Sequence, residues 1–242
     1  MKKTALITGS SKRIGRAVAE HLASDGWNII IHYNSSGERA RELVNLLSKK
    51  YSQQRFISIK ANLSEEDGIK SLIPKVISET GQISLLINNA SVFNSGCIAD
   101  TNYELFDNQF DVNLKAPFFL MRDFANYCKK GVIINFADTR ITKNRYDYAA
   151  YTLSKKCIWE LTKMAAVEFG PDIRVNAIAP GLTLPPEGKG EEYLRNLAKK
   201  IPMKSPGDIE EIRKSIDYIL DNDHLTGQLL FNDGGENLGG NE

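Results

Sequence analysis

TALITGSSKRIGRAVAEHL, residues 4–22, decides the fold. Thr4 to Thr8 is a short apolar run of the kind that forms a strand. Residues 14–26 then place Ile14, Val18 and Leu22 near one face and end at Gly26, which predicts a helix. Gly9 and Gly15 lie between and permit a tight turn with close backbone approach. A helix opening from such a turn offers free N–H groups and a positive dipole end, the physical basis of pyrophosphate binding. In this strand–turn–helix setting the glycines predict a nucleotide site rather than a plain connection.

Outward from this unit the same alternation continues. Apolar runs at 27–33, 55–63, 83–90, 131–137, 173–180 and 227–232 predict strands. Helical patterns occupy 37–51, 64–81 (Ser64 as N-cap, Asp67 three residues on), 104–128, 148–170 and 208–221. Residues 183–206 hold Pro185, Pro186, Gly188, Gly190, Pro202 and Pro206, which predicts a mobile substrate loop with a short helix at 190–200. Strands with near-continuous apolar character, alternating with helices, imply a parallel sheet covered on both faces. The expected fold is α/β, a doubly wound parallel sheet of Rossmann type, in one domain over 1–242, with the ligand at the carboxyl ends of the strands.

Composition narrows the function classes. The 242 residues carry 31 Lys plus Arg against 30 Asp plus Glu, a formal charge of +1, so no global field serves nucleic acid or an anionic membrane. Cys97, Cys128 and Cys157 form neither a disulfide framework nor a metal site, and they suit a reducing compartment. The apolar run before Gly9 is too short for a signal sequence, and no run approaches the length of a spanning helix. A cytosolic protein with no metal is expected.

The loop reads Thr8-Gly9-xxx-Arg13-Ile14-Gly15, which resembles the TGxxxGxG loop of the short-chain dehydrogenase/reductase family. Further pieces of that family's pattern follow in order: NNAS at 88–91, DVNLKAP at 111–117, YTLSK at 151–155 and APG at 179–181. The resemblance covers essentially the whole chain, and Arg13 departs from the glycine more common at its place. It implies a nicotinamide dinucleotide held by Gly9, Ser11, Lys12, Arg13, Ile14 and Gly15, by Asn89, Ala90 and Ser91, and by Pro180, Gly181, Leu182 and Thr183. The second strand ends in His32, Tyr33, Asn34, Ser35 and Ser36, with no carboxylate to bind ribose hydroxyls. Asn34, Ser35 and Ser36 can hydrogen-bond a 2′-phosphate, and Lys12, Arg13 or Arg39 supply charge, so NADPH is the expected cofactor. The resemblance places Asn62, followed by Leu63, near the adenine, where its amide oxygen accepts from the amino group, with a simple turn residue before the Ser64 cap as the alternative; His32 is a supporting or purely structural residue.

Tyr151 and Lys155 are four apart on a predicted helix and share a face. An ammonium beside a phenol lowers the phenol pKa and makes Tyr151 a proton donor, reprotonated through Lys155. The family resemblance implies that Asn113 supports Lys155 through water. Tyr146 and Tyr148 have no lysine at that spacing. Asp138 ends the buried run VIINFADTR, where most of the family has a serine that bonds a substrate carbonyl. A carboxylate repels a developing alkoxide and suits instead a substrate with N–H groups or a ring nitrogen to protonate. Arg13 together with Asp138 resembles the pteridine reductase branch. That resemblance implies a pterin substrate, with Phe93 stacking on the flat ring, and Arg13, Ser91, Asp138, Tyr151 and Gly181 around it. HYNSS and PGLTLPPEG also resemble that branch, although Ser35 replaces its usual basic residue. A homotetramer with helices 104–128 and 148–170 in its interface is implied as well. Two other readings stand beside this one: a ketone reductase such as a 3-oxoacyl-carrier reductase, and a non-catalytic dinucleotide sensor.

Overall fold

The apolar runs pair as seven parallel strands. The computed structural model describes residues 3–186 and 188–239, so the ends of the expected 1–242 domain and residue 187 of the loop lie outside the described residues. The order of elements is β1 (Thr4–Ile7), α1 (Arg13–Ser24), β2 (Asn28–Tyr33), α2 (Gly37–Lys50), β3 (Phe56–Lys60), α3 (Glu66–Thr80), β4 (Leu85–Asn88) and α4 (Tyr103–Phe110). A π-turn (Asp111–Lys115) leads into α5 (Ala116–Cys128) and β5 (Gly131–Phe136), and a 3-10 turn (Thr139–Thr142) into α6 (Ala149–Phe169). β6 (Ile173–Pro180), α7 (Glu191–Ala198), α8 (Ile209–Asp221), β7 (Leu229–Asn232) and a last 3-10 turn (Glu236–Leu238) complete the chain.

The strand order is β3-β2-β1-β4-β5-β6-β7. It reverses between β1 and β4, and at such a switch point the strands' carboxyl ends open a crevice for ligand. Register sets the two faces of the sheet. Leu6, Ile30, Leu86, Ile133 and Val175 lie in one row and pack toward α3, α5 and α6. Ile7, Ile31, Ile87 and Ile134 lie in the next row and pack toward α1, α2 and α8. No helix among the described residues is long and apolar enough to cross a membrane.

Two expectations about helices need correction. The predicted 104–128 helix runs through the π-turn, whose extra residue shifts the phase of α5 relative to α4, so it is described as two helices. Ser64 is not the N-cap of α3. Asn62 Oδ1 accepts both the Ser64 N–H (3.2 Å) and its hydroxyl (2.9 Å), a local turn that delays the helix to Glu66 and leaves Glu65 as N-cap.

Candidate active site

The nucleotide loop follows from three local facts. Gly9 takes a left-handed φ of 63°, and a Cβ on it would lie 3.0 Å from Ala90 Cα. A Cβ on Gly15 would lie 2.5 Å from the Gly9 carbonyl oxygen and 2.6 Å from Asn89 Nδ2, so only glycine fits. The N-terminus of α1 has no side-chain cap and no acid in its first turn. Its N–H groups and dipole are therefore left for an anion, and the loop fits a pyrophosphate. Arg13 takes φ 54°, the conformation the commoner glycine adopts freely. Its guanidinium donates to the Pro185 carbonyl at 3.0 Å and so ties the nucleotide loop to the substrate loop.

Two cavities of about 580 Å³ each meet here. The first is lined by Gly9, Ser11, Lys12, Arg13, Ile14 and Gly15, by His32, Tyr33, Asn34, Ser35 and Ser36, and by Asn62, Leu63, Asn89, Ala90 and Ser91. Among the described residues no carboxylate side chain lines it. The second holds Asp138, Tyr151, Lys155, Pro180, Gly181, Leu182 and Thr183. Arg13, Ser91, Phe93 and Tyr151 line both and mark their junction.

Two residues of the first cavity take the structural one of their two expected roles. The Asn62 amide oxygen already receives Ser64 and, at 3.3 Å, the Asn34 amide, so it is not free for an adenine amino group. His32 is a loop strut rather than a cofactor ligand. Its Nδ1 accepts the Gly9 N–H (3.0 Å), so Nε2 carries the proton toward the Ala61 carbonyl (3.1 Å). Burial holds its pKa down to about 4, against an ordinary 6.5. Between these values the unfolded chain binds a proton that the folded chain does not, so His32 lowers stability as pH falls from 6.5 toward 4. The melting temperature of His32→Gln is expected to fall less steeply than that of the parent over this window; parallel slopes would refute the assignment.

In the second cavity the helical spacing of Tyr151 and Lys155 turns both into the protein, where they are 6% and 3% exposed. The Tyr151 hydroxyl donates to Asp138 Oδ2 at 2.6 Å. Asp138 Oδ1 accepts the Arg140 N–H at 2.7 Å and caps the following 3-10 turn. Lys155 Nζ donates to the Phe136 carbonyl at 2.8 Å, and burial lowers its pKa to about 8. The expected depression of the Tyr151 pKa by Lys155 is not what this geometry produces. Burial, then the charge and hydrogen bond of Asp138, push the phenol well above its usual value, and Arg140 and Ser91 pull the other way.

The side chain of Asn113 has a role of its own. The π-turn carries its amide to the 91–92 turn, where Oδ1 accepts from Ser91 Oγ (3.0 Å) and the Val92 N–H (2.9 Å). Its Nδ2 donates to the Val92 carbonyl (3.0 Å) and Ser154 Oγ (3.2 Å). It braces Ser91, beside Tyr151, against α6 and lines neither cavity. Phe93 is half exposed, but one face is stacked on Tyr148 at 4.2 Å and 1°. Any flat substrate meets Phe93 as part of a Phe93–Tyr148 pair rather than as a lone ring.

Sequence reasoning missed Arg140, Tyr148, Tyr193, Leu194, Leu197 and Glu236, all of which line the second cavity. Arg140 is two residues beyond Asp138, and that adjacency was the available signal. Glu236 lies past the last strand, its carboxyl raised above its usual pKa by burial.

A protein-family model described as enoyl-(acyl carrier protein) reductase matches residues 9–237. Glucose 1-dehydrogenase 2 of Bacillus subtilis is 32% identical over 98% of this chain and 95% of its own. The 3-oxoacyl-(acyl-carrier-protein) reductase FabG of Staphylococcus epidermidis is 28% identical over 97% of this chain and 99% of its own. The crystal structure of FolM alternative dihydrofolate reductase 1 from Brucella canis, complexed with NADP, superposes with a TM-score of 0.92 at 32% identity, covering 99% of this chain and 96% of that one. Likeness on this scale runs far beyond the nucleotide loop and into every element that carries the Tyr151 cavity. The chain is an oxidoreductase and belongs to the short-chain dehydrogenase/reductase family.

Proposed function

We propose that this protein is an NADPH-dependent reductase of pterins, taking a dihydropteridine to a tetrahydropteridine. One observation carries the reading: the phenol of Tyr151 is hydrogen-bonded to a carboxylate, Asp138, at 2.6 Å in the cavity that joins the nucleotide cleft. A phenol and an acid sharing a proton suit delivery to a ring nitrogen and are poorly matched to a nascent alkoxide. The solved FolM structure with NADP, at 32% identity, supports the same substrate class and cofactor.

The residues divide the work by position. The uncapped α1 N-terminus and the glycine loop bind the pyrophosphate, and the carboxylate-free wall around Tyr33 to Ser36, with Lys12 and Arg13 close by, accepts a 2′-phosphate. When bound, NADPH supplies the hydride to a ring carbon. Tyr151, oriented by its hydrogen bond to Asp138 Oδ2, gives its proton to the adjacent nitrogen and is reprotonated from solvent through Lys155. Lys155, fixed by the Phe136 carbonyl, keeps a cation beneath the phenol ring, 5.9 Å from its centroid. Phe93 and Arg13 bound the substrate, and Ser91 and Gly181 complete the wall.

NADPH oxidation with dihydrobiopterin, dihydromonapterin and dihydrofolate tests the reading. Turnover of a simple ketone with none of these would overturn it in favour of a ketone reductase, the reading that the glucose dehydrogenase and FabG relatives support. NADPH binding without turnover of either class would leave a dinucleotide sensor.

The cellular setting we propose is the cytosol, with the whole of 1–242 forming one domain of a homotetramer. Exposed Phe118 on α5, with Leu153, Met164 and Val167 on α6, gives these helices an apolar outer surface for that interface. Light scattering that returns the mass of a single copy would refute the assembly.

A further inference from the structure

The second cavity contains three cations, and they are not equally engaged. Arg13 donates to the Pro185 carbonyl at 3.0 Å and Lys155 to the Phe136 carbonyl at 2.8 Å. Arg140 is different. Its Nη1 is shielded from solvent and has no hydrogen-bond acceptor among the described residues. Its nearest carboxylate, Asp147, stands 3.6 Å away and is already gripped by the Arg145 fork at 3.1 and 2.9 Å. Of the two acids that line the cavity, Asp138 receives the Tyr151 hydroxyl and Glu236 pairs with Lys143.

Position adds to this. The Arg140 guanidinium lies 4.7 Å from the Tyr148 ring centroid and 5.4 Å from that of Phe93, the two rings stacked on each other at the mouth of the cavity. An arginine resting on aromatic rings is held in place by cation–π attraction and keeps its N–H edge for an acceptor. Its main-chain N–H is bonded to Asp138, so the turn that places the proton-donating pair also places this guanidinium. A guanidinium N–H shielded from water and without an acceptor is destabilising, because its lost hydration is not replaced. In a cavity wall the partner that removes this cost is the ligand.

We propose that Arg140 is a specificity-determining residue that binds an acceptor oxygen of the substrate. This rests on the pterin reading for its choice of ligands. Two oxygens have the required chemistry: the ring carbonyl of a 2-amino-4-oxopteridine, and the carboxylate of a tail such as that of dihydrofolate.

The test is equilibrium binding to the NADP-loaded enzyme, parent and Arg140→Gln, with three probes: 2-amino-4-oxopteridine, 2,4-diaminopteridine and dihydrofolate. The main-chain bond to Asp138 survives the substitution, so the proton-donating pair keeps its place. If Arg140 takes the ring oxygen, Arg140→Gln weakens both oxo compounds about tenfold and the diamino compound by less than twofold. If it takes the tail carboxylate, only dihydrofolate weakens. Arg140→Lys, which keeps the charge and loses the fork, reads the same contrast if the glutamine variant does not fold, and recovers more affinity for a carboxylate than for a carbonyl. All three affinities unchanged, or all three weakened alike, would overturn the proposal. Parent enzyme that binds none of the probes overturns both this and the pterin reading. Binding without turnover overturns the reductase reading alone.

Discussion

Asp138→Ser is expected to lower kcat/KM for a dihydropteridine by a factor of about 100 or more, within the range by which a positioned acid or base contributes. Asp138 holds two things at once. One oxygen accepts the Arg140 N–H and caps the turn after β5; the other accepts the Tyr151 hydroxyl. Serine is itself a good cap, so the turn should persist and the loss should fall on proton delivery rather than on folding. NADPH affinity is therefore expected to stay within twofold, and the melting temperature within a few degrees. The same substitution should leave ketone reduction unchanged or improve it, since it removes a negative charge from beside the developing alkoxide. Steady-state rates on one pterin and one ketone, with both enzymes, check the prediction. Pterin turnover that survives the substitution would mean Asp138 is only a cap.

The second large effect concerns Lys155. Lys155→Met should reduce turnover about 100-fold or more while leaving the fold intact, because methionine fills similar space. The pH dependences separate its two roles. Burial lowers the Lys155 pKa from 10.5 to about 8, so between these values the unfolded chain holds a proton that the folded chain has released. Stability therefore rises with pH across that window, and this contribution is absent in Lys155→Met. Activity should move the opposite way. kcat/KM, which follows ionisation of the free enzyme, is expected to fall above pH 8 as the cation beneath Tyr151 is lost. Melting temperatures of both proteins from pH 7 to 10.5, set beside the pH–rate profile of the parent, give the comparison. A melting-temperature difference that does not change with pH would show that Lys155 is not the titrating group.

The sheet was legible because parallel strands buried on both faces leave continuous apolar runs, as at Ile29 to Ile31 and Ile133 to Ile134. The nucleotide loop was legible because Gly9 and Gly15 answer to steric limits that no other residue meets. What escaped depends on distance and burial. Ser64 has the chemistry of a cap, yet Asn62 two residues earlier captures it. A lysine four residues from a tyrosine suggests a lowered phenol pKa, and only the carboxylate at 2.6 Å reverses the sign. The family motif around Asn113 speaks of Lys155 and gives no sign that its amide also braces the 91–92 turn and Ser154, a role that only the three-dimensional contacts display. Glu236 comes to the cavity from the far end of the chain, with no spacing rule to announce it.

The π-turn at Asp111–Lys115 bears on how this chain can change length. One residue more or fewer in a helix rotates everything beyond it by roughly 100°. Deleting a residue there would restore regular winding, swing Asn113 away from Ser91, and turn Leu120, Met121 and Phe124 of α5 out of the core. Insertions and deletions usually find shelter in loops, and the proline- and glycine-bearing stretch after Thr183 offers such shelter. The span from Tyr103 to Cys128 offers none: its residue count is itself a part of the active site, and a laboratory or natural lineage altering that count by one should lose brace and core together.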